Sequence, residues 1–129
     1  MKIHHIAIWV KDLERMKRFY EYHFQGTAGE KYHNPKKQFE SYFISFAGGC
    51  RLELMHNPDI PGMQNNNLEQ YPGLIHFAIS VDGKEKVDDL TERLRKDGFR
   101  IVGEPRTTGD GYYESIVLDP EGNRVEITE

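Results

Sequence analysis

The chain alternates between two kinds of apolar periodicity, and it does so twice. His5-Ile6-Ala7-Ile8-Trp9-Val10 and His76-Phe77-Ala78-Ile79-Ser80-Val81 both read His, apolar, Ala, Ile, any residue, Val, 71 positions apart. Period-two alternation of this kind predicts a half-buried strand. Each strand runs into a segment with a helical stripe. In the first, Asp12 is placed as N-cap, and Leu13, Met16, Tyr20 and Phe24 form the stripe, closing at Gly26. In the second, Asp82 and Glu85 have capping-box spacing. There Val87, Leu90 and Leu94 form the stripe, and Gly98 stands where a left-handed cap is wanted.

Three strand-like segments follow each helix: 27–33, 39–46 and 51–55, then 99–106, 112–118 and 124–128. Gly48-Gly49 and Asp119-Pro120-Glu121-Gly122 supply turn residues for the last hairpins. The pattern is βαβββ twice, with repeat one over 1–56, a linker over 57–73 containing Asn65-Asn66-Asn67, and repeat two over 74–129.

Because successive strand residues face opposite ways, the alternation also sorts polar residues by face. Ile6, Ile8 and Val10 take the core side of the first strand, leaving His5, Ala7 and Trp9 opposite. Leu52 and Leu54 leave Glu53 opposite. Ile75, Phe77, Ile79 and Val81 leave His76, Ala78 and Ser80 opposite, and Val125 and Ile127 leave Glu126 opposite. Forty-eight residues separate His5 from Glu53, and 50 separate His76 from Glu126. Taken singly, each is an ordinary solvent-facing strand residue. Together, at matched repeat positions, they are candidate metal ligands, and pairing of the halves about a pseudo-twofold axis brings them to one point. Two imidazoles and two carboxylates suit zinc, nickel, cobalt, iron or manganese, and leave open positions on an octahedral ion.

These features resemble the vicinal oxygen chelate superfamily, and within it the glyoxalase I family. The resemblance is carried by His5 and its strand, Val10-Lys11-Asp12-Leu13 leading to Phe19-Tyr20, Leu52-Glu53-Leu54-Met55-His56-Asn57, Gly73-Leu74-Ile75-His76, and Asp119-Pro120-Glu121-Gly122-Asn123-Arg124-Val125-Glu126. It implies an α+β fold, a curved eight-stranded mixed sheet with helices on the convex side, in a single domain. It implies a divalent ion, nickel or zinc, held by His5, Glu53, His76 and Glu126. The implied reaction turns the hemithioacetal of a 2-oxoaldehyde into a 2-hydroxy thioester, with Glu126 as base and Glu53 as its partner. A homodimer is a further implication. Related branches catalyse acyl-CoA epimerisation, extradiol dioxygenation or thiol transfer, and others bind without turnover; the carboxylate at Glu53 favours the glyoxalase branch.

The family places an arginine for a glutathione carboxylate where this chain has Trp9, and eukaryotic members often have arginine where it has Pro72. Asn57 matches a glutathione-contacting asparagine. Trp9, Asn57 and Tyr113 (one of the Tyr112-Tyr113 pair) are therefore the candidate substrate contacts.

Among other residues, His4 is expected to point away from His5, and His23 to sit partly buried on the helical stripe. His33 and His56 are expected at the surface, Lys31, Lys36 and Lys37 in a solvated loop, and Cys50 to be inert.

Composition narrows the class. With 129 residues the chain can hide about 68% of its unfolded surface. A net charge of −4 argues against a polyanion partner. The single cysteine fits a reducing compartment, and no apolar run reaches the roughly 18 residues a bilayer crossing needs, so a cytoplasmic small-molecule protein is expected.

Overall fold

A computed structural model describes residues 2–62, 68–70 and 72–129. The run Asn65-Asn66-Asn67 lies outside the described residues. Two compact units result, Met1–Gln64 and Asn65–Glu129.

The first unit contains β1 (His5–Trp9), α1 (Leu13–Phe24), β2 (Thr27–Ala28), β3 (Tyr32–Asn34), β4 (Phe39–Ser45) and β5 (Arg51–His56). Its sheet runs β1-β5-β4-β2, with β3 also on β4; β1 and β5 are parallel, and the other pairs antiparallel. Leu13, Met16, Phe19, Tyr20 and Phe24 of α1 are buried, as are Ile44, Leu52 and Leu54 of the sheet. Asp12 caps α1 as its position predicts, its carboxylate accepting from the Arg15 N–H at 2.9 Å. The helix ends one residue early, with Gln25 taking the left-handed conformation (φ 55°). Gly26 is needed for room instead, since a Cβ there would sit 2.5 Å from Ile44 Cγ2. The expected strand over 27–33 is two short strands, interrupted at 29–31.

The second unit contains β6 (Phe77–Ser80), α2 (Lys84–Lys96), β7 (Ile101–Thr107), β8 (Tyr113–Leu118) and β9 (Arg124–Thr128), with sheet order β6-β9-β8-β7. Again the outer strand β6 runs parallel to β9. Val87, Leu90, Thr91 and Leu94 of α2 are buried, with Val117, Val125 and Ile127 of the sheet. The capping box at Asp82 does not form. Gly83 is the N-cap, at φ 87° and without a side-chain cap, because the chain turns there into the helix. At the other end Gly98 takes the left-handed conformation anticipated for it (φ 88°). The N–H groups of Gly98 and Phe99 then return to the carbonyls of Arg95 and Leu94. Strand β7 shifts register between Gly103 and Arg106, around Pro105, which has no N–H to give and sits on the sheet edge.

The α+β fold class is as expected, with two four- to five-stranded mixed sheets and two helices. No described helix is long and apolar enough to cross a membrane.

Candidate functional site

In the first unit the parallel pairing of β1 and β5 sets Ala7 beside Glu53 and His5 beside Arg51. On the far side of β5, Phe43 of β4 is in register with Glu53. Because Ala7 carries only a methyl group, the Glu53 carboxylate is free to lean along the face toward His5. Its Oε2 lies 3.6 Å from His5 Nε2, with the two side chains 15% and 38% exposed. The Phe43 ring meets His5 edge to face at 5.3 Å.

The second unit repeats this arrangement. Ala78 is beside Glu126, and Ile116 of β8 is in register with Glu126 on its other side. His76, one residue before β6, brings Nε2 to 3.2 Å from Glu126 Oε2, with side chains 36% and 13% exposed. In each unit, then, a small residue, a glutamate and an apolar residue share one row across three strands, with a histidine two positions before the small residue.

Burial pushes the Glu126 carboxyl above the ordinary carboxylate range. Neighbouring Glu114 adds to that shift, while His76 and Arg106 oppose it. Glu114 lies diagonally from Glu126 on the same face, in register with Thr128 on one side and Arg106 on the other. The Arg106 guanidinium donates to Glu114 at 3.4 Å.

The four anticipated ligands therefore occur as two pairs, one in each unit. Among the described residues, no three His, Cys, Asp or Glu side chains are gathered for a metal. Each pair fits a divalent ion by its chemistry, offering one imidazole nitrogen and one largely desolvated carboxylate oxygen from adjacent strands.

Of the candidate substrate contacts, Trp9 is 44% exposed on the His5 side of β1, edge to face with Phe39 at 6.0 Å. The Asn57 side chain is engaged by backbone, donating to the Lys37 carbonyl at 3.0 Å and accepting from the Asp59 N–H at 2.9 Å. Tyr113 does not face the site. Its hydroxyl donates to Asp88 of α2 at 2.9 Å, so it shares the helix side with Ser115 and Val117, and Glu114 takes the face expected for it.

Three further expectations change. His4 precedes β1 and escapes its alternation, so its Nδ1 lies 2.9 Å from His5 Nδ1 rather than on the far side. His56 is half-buried, its Nδ1 donating to the Val10 carbonyl at 2.9 Å. Lys31 bridges Glu14 and Glu40 at 3.2 and 3.3 Å instead of standing in solvent. His23, by contrast, is buried on the helical stripe as expected, in contact with the rings of Phe19 and Tyr22.

The sequence reading missed Phe43, Arg51, Glu114 and Arg106. Their signal was present in part, since Arg51-Leu52-Glu53 and Arg124-Val125-Glu126 repeat at the same offset from the ligand candidates.

The Bacillus subtilis (strain 168) protein YqjT is 28% identical over 128 residues, spanning 97% of this chain and 96% of its own. Mitochondrial methylmalonyl-CoA epimerase of Bos taurus is 28% identical over 124 residues, covering 92% of this chain and 67% of its own. A glyoxalase I variant of Zea mays superposes with a TM-score of 0.79 at 25% identity, over 98% of this chain; that span is only 44% of the maize chain. The family described as Glyoxalase/Bleomycin resistance protein/Dioxygenase superfamily matches residues 2–127, and the chain belongs to it.

Proposed function

We propose that the protein is a divalent-metal-dependent isomerase of the glyoxalase type, a carbon–sulfur lyase by class, acting on the hemithioacetal of a 2-oxoaldehyde as a homodimer in the cytoplasm. The observation that carries the reading is the twice-built pair, His5 with Glu53 and His76 with Glu126, each at ion-pair distance on the same kind of parallel strand pair.

His5, Glu53, His76 and Glu126 would hold the ion, nickel or zinc. When bound, it supplies a Lewis acid for two adjacent substrate oxygens. The protein's own task is a proton transfer between neighbouring carbons. Glu126 takes the proton from the sulfur-bearing carbon and returns it to the next, while the hydroxyl proton moves to the adjacent oxygen. The product is an isomer, a 2-hydroxy thioester, and no oxidant or reductant is consumed. A carboxyl held above its usual range is suited to this work, because a base with a higher pKa accepts a carbon-bound proton more readily. Glu53 partners it from the other repeat. Trp9 would wall the substrate-side face. Asn57 would contact substrate through a backbone-fixed amide.

A second reading, epimerisation beside a thioester carbonyl, is favoured by the similarity to the Bos taurus epimerase. There Glu126 would take the proton from the carbon beside the carbonyl, and a proton would return to the opposite face of that same carbon.

The test is turnover of hemithioacetals made with glutathione and other thiols, on nickel- and zinc-loaded protein, with acyl-CoA epimerisation assayed alongside. Turnover of at least one hemithioacetal is expected, with a loss of about 10²- to 10⁴-fold in Glu126→Gln assayed at metal concentrations that saturate the variant. Absence of hemithioacetal turnover with either ion, or full activity in that variant, overturns the reading.

A further inference from the structure

Arg51 is an arginine on the His5–Glu53 face with no acidic partner among the described residues. It opens β5 in register with His5, two positions before Glu53. Its guanidinium lies over the Phe43 ring, 4.2 Å from the centroid, and donates to His4 Nε2 at 3.0 Å. Other well-placed arginines are neutralised: Arg95 by Glu92 and Glu104, and Arg106 by Glu114. Among the described residues no carboxylate pairs with Arg51.

The surroundings hold its head group in place. Arginine only donates, so His4 Nε2 is the acceptor in their bond, and stacking on Phe43 fixes the guanidinium plane. Of five N–H donors, one is committed to His4. The Phe43 ring that carries the guanidinium is the ring against His5. A stacked, tethered guanidinium with spare donors is pre-ordered for a planar oxyanion, which it can take by two parallel bonds.

We propose that Arg51 is a specificity-determining residue that anchors a carboxylate on the substrate, beside the His5–Glu53 pair. Two strand residues span about 6.6 Å, so the carboxylate sits a few bonds from the atoms presented to Glu53. The anchor exists in the first repeat alone. Ile75 stands where the repeat aligns with His4, and Arg124, the counterpart of Arg51, donates to the Leu68 carbonyl at 3.2 Å. The proposal takes the rest of the ligand from the function proposed above, and its test separates the two.

Wild type, Arg51→Gln and Arg51→Lys are loaded with nickel or zinc and given hemithioacetals of methylglyoxal with 3-mercaptopropionate or with uncharged 2-mercaptoethanol. In Arg51→Gln, KM for the carboxylate adduct should rise about tenfold to hundredfold, with the uncharged adduct changed less than about twofold. Arg51→Lys should restore part of the difference. In parallel, backbone amides of β1 and β5 are followed by NMR while unreactive 3-(methylthio)propionate or its amide is added. The wild type should respond to the carboxylate alone, and Arg51→Gln to neither. If neither adduct turns over but the carboxylate probe still discriminates, the reaction assigned above is wrong and the anchor stands. Equal responses in wild type and Arg51→Gln, or equal loss with both adducts, overturn the anchor.

Discussion

Glu126 is a carboxylate withdrawn from water with another carboxylate, Glu114, beside it. Its folded pKa is raised, so the native state binds more proton at this group than the unfolded chain does. The stabilising contribution is therefore complete below the ordinary carboxylate pKa, and is lost as pH rises through the raised value. In metal-free protein, Glu126→Gln should remove that part of the pH dependence and be more stable than wild type at neutral pH, although it gives up a ligand. Urea unfolding in chelator across pH 4 to 8 checks this. Parallel wild-type and variant curves would show that burial of Glu126 costs nothing. Glu126 destabilises the chain when charged, and a glutamate at the same register beside an alanine in both repeats, Glu53 beside Ala7 and Glu126 beside Ala78, fits a role in chemistry better than one in folding.

At the scale of elements, α2 is bound to its sheet through a buried hydroxyl pair as well as an apolar stripe. Thr91 Oγ1 donates to the Val87 carbonyl at 2.6 Å and lies 2.6 Å from Ser115 Oγ, with both residues fully buried. Thr91→Val leaves the Ser115 hydroxyl without that partner and should cost about 1–3 kcal/mol in urea unfolding. The double variant with Ser115→Ala should cost less than the sum of the singles. Strict additivity would mean that the two hydroxyls do not interact.

Elements also set what the sequence could reveal. Alternation along β1, β5 and β9 was enough to put His5, Glu53 and Glu126 opposite the more buried residues, and the pattern of β6 extended one residue forward reaches His76, because each strand has an unambiguous apolar face. It failed for Tyr113, because Ile116, Val117 and Leu118 are all apolar and leave the parity of β8 undetermined. His4 was misplaced because alternation was carried one residue past the end of the strand. Phe43, Arg51, Glu114 and Arg106 enter through cross-strand register, and register depends on turns and a bulge around Pro105 that no single strand encodes.

For the molecule as a whole, duplication has a consequence that can be counted. A pair such as His5–Glu53 offers one nitrogen and one oxygen, short of the three or four protein ligands usual for a divalent ion. Two independent pairs would bind weakly and take up two ions per chain. One ion gripped by both pairs binds tightly at one per chain, whether the pairs come from the same subunit or from two. The proposed function needs the second case. Calorimetric titration with zinc or nickel should give one ion per chain, and Glu53→Gln and Glu126→Gln should each weaken binding by similar, large factors. A variant that loses only one of two equivalent uptake steps would show the repeats acting separately. The dissimilar neighbours of the two histidines, His4 and Arg51 in one repeat and Ile75 in the other, would then mark two weak sites with unequal surroundings rather than two walls of a shared one.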